Sequence, residues 1–239
     1  MNRTQKFALN SFTTALNQIV VMGIGFITPS LMIQIYGSEI NGLVSSINQI
    51  ISYLSLVEAG LSGAAVYSLY KPLADNNKKE INAIVSAAKK FYFQAGYIFS
   101  AASFILAILY AFLKASESIS YGTIFLLTLI LSVNGCVDFF VLARYRVILT
   151  ADQRTYVISS VGILQAIFRA VLIIICAALN TNVVMVYGIA LVPVIVKVII
   201  LYRYCKQKYD FLNFNEKPNI AAMGRRYDVI YQQILGVIQ

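Results

Sequence analysis

Residues 156–179 read YVISSVGILQAIFRAVLIIICAAL; after Asn180-Thr-Asn182, residues 183–204 read VVMVYGIALVPVIVKVIILYRY. The first run carries a single charge, Arg169. The second carries Lys197 in its interior and Arg203 only near its end. Their apolar residues are continuous and do not alternate with polar ones, which indicates helices and not barrel strands. Each run exceeds the ~20 residues a helix needs to cross the hydrocarbon core of a bilayer. Working outward by the same criterion places four more spans, at about 12–36, 43–70, 91–113 and 121–143.

Six spans leave seven connections. Their Lys and Arg counts in chain order are 2, 0, 5, 1, 3, 0 and 6. The five are Lys71, Lys78, Lys79, Lys89 and Lys90; the three are Arg144, Arg146 and Arg154. Alternation of this kind is the positive-inside rule repeated over consecutive spans, so both chain ends are expected in the cytoplasm. Of 19 basic residues, only Arg169 and Lys197 lie in the interior of the apolar segments; Arg203, at the end of the last one, is counted with the final connection. The expected architecture is all-α: a six-helix transmembrane lobe over 1–206, a cytoplasmic linker over 207–226, and a short C-terminal helix over 227–239. That last stretch turns apolar behind Arg225 and Arg226. It reads either as an interfacial helix or, preferably, as the start of a truncated seventh span.

Composition agrees. The 239 residues are 59% hydrophobic, and the mean hydropathy is +0.74. Soluble domains are nearer 45–50% apolar. The net charge of +9 would point to nucleic acid in a soluble protein. Confined to alternate loops, it points to topology and anionic lipid headgroups, with no nucleic-acid partner. There is no histidine. That argues against most metal sites and against His-based general base chemistry, so no metal, cofactor or catalytic residue is expected. Cys136, Cys176 and Cys205 have no ligand spacing and read as small buried hydrophobes.

Polar residues inside a membrane are costly, and they face the bundle interior or a water-filled cavity. In span 2, Asn41, Ser45, Asn48, Ser52 and Ser55 recur at 4, 3, 4, 3 spacing, on one helical face, and Glu58 and Ser62 continue the stripe. Span 1 has a weaker version in Asn10, Thr14, Asn17, Gly25 and Thr28. Span 4 offers Thr128, Ser132, Gly135 and Asp138. Span 5 offers Gly162, Gln165 and Arg169. Small and hydroxyl residues at such spacing serve helix packing; a stripe that includes a carboxylate reads instead as the wall of an aqueous cavity. Four ionisable residues lie within the spans: Glu58, Asp138, Arg169 and Lys197. Arg169 is expected near mid-membrane and the others toward the cytoplasmic side. They form either two structural ion pairs or a chamber that binds an anion and titrates. Arg169, Lys197, Asn48 and Gln165 are the candidate substrate-binding residues; Glu58 and Asp138 are the candidate ion-coupling residues. Gly60, Gly63 and Pro193 are candidate bends.

The run Ile35-Tyr-Gly-Ser-Glu-Ile-Asn-Gly-Leu-Val-Ser-Ser-Ile-Asn-Gln-Ile-Ile-Ser-Tyr-Leu-Ser-Leu-Val-Glu-Ala-Gly-Leu61 resembles bacterial polysaccharide flippases. These are the O-antigen and capsule repeat-unit exporters of the multidrug/oligosaccharidyl-lipid/polysaccharide superfamily. Leu69-Tyr-Lys-Pro-Leu73 and Arg144-Tyr-Arg-Val-Ile-Leu-Thr-Ala-Asp-Gln-Arg-Thr-Tyr-Val157 are similar to the same family. The resemblance implies two six-helix lobes facing each other across a cavity that opens alternately to the two sides of the bacterial cytoplasmic membrane. It implies a substrate of sugars on undecaprenyl pyrophosphate, and partners in the polysaccharide assembly machinery. This chain would hold one such lobe, with the second missing. Three other readings compete: a multidrug extruder of the same superfamily, a membrane enzyme of the same pathway, and a non-transporting assembly protein or fragment. Against the enzyme, the longest internal loop has no histidine and only Asp75 and Glu80 as acids.

Overall fold

The computed structural model describes residues 3–115 and 119–220. Among them it contains only helices and the turns between them. Lipid imposes this, because each unpaired backbone N–H or C=O costs several kcal/mol there and a helix pairs its own. The elements are α1 (Arg3–Leu54), α2 (Leu56–Ala74), α3 (Lys78–Lys114), α4 (Tyr121–Val137), a π turn (Asp138–Leu142), α5 (Ala143–Ala151), α6 (Thr155–Ala178), α7 (Val183–Ile189) and α8 (Val192–Lys208). The expected tail, 227–239, and residues 221–226 of the linker lie outside the described residues.

Among the described residues, five continuous helical segments are long and apolar enough to cross a membrane. The first makes two passes. Lys6 bonds the backbone carbonyl of Asp152 at 2.9 Å, just before α6 begins. Tyr36 donates to the carbonyl of Thr181 at 2.6 Å, just after α6 ends. Residues 6–36 therefore run parallel to α6 along its whole length. Asn41, Ser45 and Asn48 then return to the cavity that Asn17 and Thr28 line. In a straight helix Asn17 and Asn48 would lie ~46 Å apart.

The reversal is at Gly37, with φ 85° and ψ 163°. That region of backbone space is essentially open to glycine alone. Gly37→Ala is expected to destabilise the fold by about 1–3 kcal/mol. A lowered thermal midpoint of the purified protein would show it, and since nothing lies within 4 Å of the added methyl, crowding would not be the cause.

Several boundaries differ from the sequence reading. The expected external loop Gly37–Gly42 shrinks to the single residue Gly37. The expected internal loop Lys71–Lys90 shrinks to a turn, because Asn77 caps α3 by accepting from Glu80 N at 3.2 Å. A capped start lets solvated helix extend beyond the apolar core. Span 2 is interrupted at Ser55 and not at Gly60 or Gly63, since both glycines sit inside α2. Span 6 is interrupted at Ala190–Leu191, which leaves Pro193 in the first turn of α8, where a missing N–H breaks no bond. Arg144 and Arg146, counted in a connection, are on α5 and continuous with span 4.

The contact of α3 with α2, α4, the π turn and α5 contains several of the large buried side chains, including Tyr92, Phe139 and Leu69. Gly135 of α4 lies against the Phe99 ring, so that helix surface serves packing. Thr128 and Ser132 are buried and donate to carbonyls of their own helix.

The starts of α1, α3 and α6 and the end of α8 meet at one basic end of the bundle. Asp152 is the node there. Its carboxylate accepts from Lys6 at 3.1 Å, from Arg154 Nε at 2.5 Å and from the Tyr209 hydroxyl at 2.7 Å. Residues after α8 fold back on α3: Asn82 donates to the Phe211 carbonyl at 2.9 Å and accepts from Asn213 N at 3.1 Å. Partial burial pushes the Asp152 carboxyl up, but the hydrogen bonds from Tyr209, Arg154 and Lys6 outweigh it, so the group titrates below the ordinary carboxylate value. A lowered carboxylate contributes stability above its unfolded value of ~3.9, and that contribution is lost as pH falls through the folded value. Thermal midpoints in detergent are expected to fall for the wild type as pH drops below ~4. Asp152→Asn should start lower at neutral pH and show a flatter acid limb.

Candidate functional site

A cavity of about 520 Å³ lies between α1, α6, α7 and α8. Ligand pockets range over ~300–1,000 Å³. Asn48, Gln165, Arg169 and Lys197 all line it, so the fold brings the four candidate substrate-binding residues to one place. They come from three helices. Asn48 stands on the returning half of α1, with Ser45 one turn and Asn41 two turns before it. Gln165 and Arg169 are one turn apart on α6. Lys197 is on α8, one turn beyond Pro193.

The outgoing half of α1 closes the wall. It approaches α6 closely where Gly162 leaves room for the Asn17 amide: a Cβ at Gly162 would lie 3.1 Å from Asn17 Oδ1. Asn17 Oδ1 and Thr28 Oγ1 are buried at this wall without a hydrogen-bond partner among the described residues. Toward the basic end the same helix pair is held shut by Thr14 and Ser159, whose hydroxyls are 3.1 Å apart, and by Asn10 with Tyr156.

Arg169 lies ~21 Å along α6 from Thr155 and ~14 Å from Ala178, well inside the span. Among the described residues it has no carboxylate within ion-pair distance; the neighbour that acts on it electrostatically is Tyr187. A guanidinium at that depth costs a few kcal/mol unless water or a counter-ion reaches it. The cavity gives such access. Its forked donors suit a phosphate or carboxylate.

The two candidate ion-coupling residues are elsewhere. Glu58 on α2 and Asp138 at the head of the π turn do not pair with Arg169 or Lys197, as four span residues read alone would suggest. Both pair with Arg146. Its Nη2 is 2.8 Å from Glu58 Oε1 and its Nη1 is 3.6 Å from Asp138 Oδ1. The Arg146–Asp138 contact is beyond hydrogen-bond distance, so the attraction there is chiefly ionic. The π turn makes the second contact feasible. Eight residues of unbroken α-helix would leave Asp138 and Arg146 ~80° apart around the axis. The wider π turn takes up most of that rotation and brings Arg146 round to the Asp138 face. Tyr92, fully buried, stands near Glu58 and Arg146.

Lys197 connects the two sites. It lines the cavity, and Asp138 and Glu58 are both near enough to act on it electrostatically. The sequence by itself does not single out Arg146. The Asp138–Arg146 spacing carries no helical signal unless the π turn is known, and the Arg144–Arg146 pair reads as loop charge.

No family model, no curated protein and no solved structure matches the chain.

Proposed function

We propose that this chain is the helical lobe of a membrane transporter that carries a lipid-linked oligosaccharide across the bilayer. The observation that carries the reading is Arg169: a cation without a carboxylate partner among the described residues, deep in a span and facing a cavity whose wall carries several amides and hydroxyls. A second cation, Lys197, and amide and hydroxyl groups of Asn17, Thr28, Asn48 and Gln165 share that cavity. The set suits a headgroup with a diphosphate and many hydroxyls. The diphosphate would take Arg169 and Lys197; the sugar hydroxyls would donate to the orphaned oxygens of Asn17 and Thr28. Such a headgroup cannot cross hydrocarbon unaided, whereas its lipid tail can stay in the bilayer.

On this reading the basic end faces the cytoplasm of a bacterial cell; the positive-inside bias of the loop charges supports that orientation. An opposing lobe, on further chain or a second copy, would complete alternating access. The protein performs no bond-breaking step. The test is reconstitution in liposomes with a fluorescent undecaprenyl-pyrophosphate oligosaccharide in the inner leaflet. Time-dependent exposure to an external reductant is the expected result. Protein-independent exposure, or transport of cationic aromatic drugs in preference, would replace this reading with the assembly-protein or the drug-extruder one.

A further inference from the structure

Lys197 is the one charged residue, among those described, that lines the anion cavity and also feels the Glu58–Arg146–Asp138 cluster. The cluster holds two carboxylates and one guanidinium. Counted with Lys197 it is neutral; without Lys197 it carries one net negative charge. The cavity is the reverse. With Lys197 it has two cations and, among its lining residues, no acid; without it, one. The same ammonium thus compensates charge at both places, and it cannot do so fully at both at once.

We infer that anion binding in the cavity and uptake of a small monovalent cation, a proton or Na⁺, at the Glu58–Asp138 pair reinforce each other through Lys197. An anion that draws the ammonium toward Arg169 strips the carboxylates of a counter-ion, and a cation from bulk water replaces it. In the other direction, a cation on the pair releases Lys197 to the anion. Thermodynamic linkage makes the two effects equal in size. The groups facing the pair are Arg146 from α5, Lys197 from α8 and Tyr92 from α3, and Arg146 alone is too few cations for two carboxylates. Two breaks in regular helix lie at this cluster, at Ser55 between α1 and α2 and at the π turn, so side chains there have room to re-pair. The inference rests on the anion-cavity reading. It adds a direction: the cation travels with the anion as a co-substrate, not against it.

The test uses the purified full chain in lipid nanodiscs and inorganic sulfate, whose charge is constant across the neutral range. Sulfate affinity is measured by calorimetry at stepped pH in choline buffer, then at fixed pH in Na⁺ against choline. The expected result is affinity at least about 5-fold higher at the acid end or in Na⁺, the usual floor for coupled sites. The pH arm identifies a proton and the Na⁺ arm a sodium ion. Lys197→Gln should bind sulfate more weakly through Arg169 and lose the dependence. Binding that is flat in both arms overturns the coupling and leaves the cavity reading standing. No sulfate binding overturns both. Persistent dependence in Lys197→Gln removes Lys197 as the link. Because the wild type alone can fail the first two arms, a variant that does not fold does not protect the inference.

Discussion

Arg169→Ala is expected to lower anion affinity of the cavity by roughly 10- to 150-fold, the equivalent of about 1.5–3 kcal/mol for a lost charge-assisted hydrogen bond. The same change is expected to raise the thermal midpoint of the ligand-free protein. The opposite signs follow from what surrounds the residue. Among the described residues no carboxylate neutralises Arg169, so its removal breaks no ion pair and relieves the part of the desolvation cost, at most about 2.5–3.5 kcal/mol at a helix centre, that cavity water leaves uncompensated. A residue kept for packing or pairing would behave in the other way: its loss would destabilise and leave binding nearly intact. Sulfate calorimetry and thermal scanning on the same preparation check both arms. Arg169→Lys should retain the charge, and should recover only part of the affinity, because an ammonium lacks the planar fork. A less stable Arg169→Ala protein with unchanged sulfate affinity would place Arg169 in the scaffold.

Arg146→Met should be the most damaging single substitution in the bundle. It leaves Glu58 and Asp138 facing each other, with Lys197 the only remaining cation near both. Breaking a buried pair from one side costs about 3–5 kcal/mol, a large part of the 5–15 kcal/mol that holds a typical domain together. Arg146 and Glu58 are about one-fifth exposed and Asp138 about one-third, which puts the cost toward the lower figure. The measurement is the yield of monodisperse protein after extraction, with its thermal midpoint. The triple replacement Glu58→Gln, Asp138→Asn and Arg146→Met removes all three charges together. It is expected to recover most of the stability, because replacing every partner of a buried ionic group is far cheaper than removing one. A triple variant as unstable as the single one would mean that Arg146 matters for its shape, not its charge.

These two arginines show what local sequence could reveal. Arg169 is conspicuous because it interrupts an apolar run, and depth along the span follows from counting residues. Its isolation from carboxylates is not readable, because any of Glu58, Asp138 or neither could have stood opposite. Arg146 follows a polar boundary and looks like one more positive-inside charge. Only the continuation of helix through the π turn carries it back to Asp138. Span 4 polar residues illustrate the converse. Thr128 and Ser132 have the spacing of a cavity wall, yet they are buried and bond their own backbone.

Hydropathy alone determined that the chain is a polytopic helical bundle. The energy of burying backbone polar groups in lipid leaves no other choice for long continuous apolar runs. The 3.6-residue period also settled which polar residues share a face, since that is geometry within one helix. What lies opposite each face is set by how helices rotate and tilt against one another. The tertiary structure therefore decided that α1 folds back at Gly37, that Asn48, Gln165, Arg169 and Lys197 meet in one cavity, and that Arg146 claims both carboxylates. Those outcomes come from contacts between residues far apart in the chain, and no period or composition within a single span encodes them.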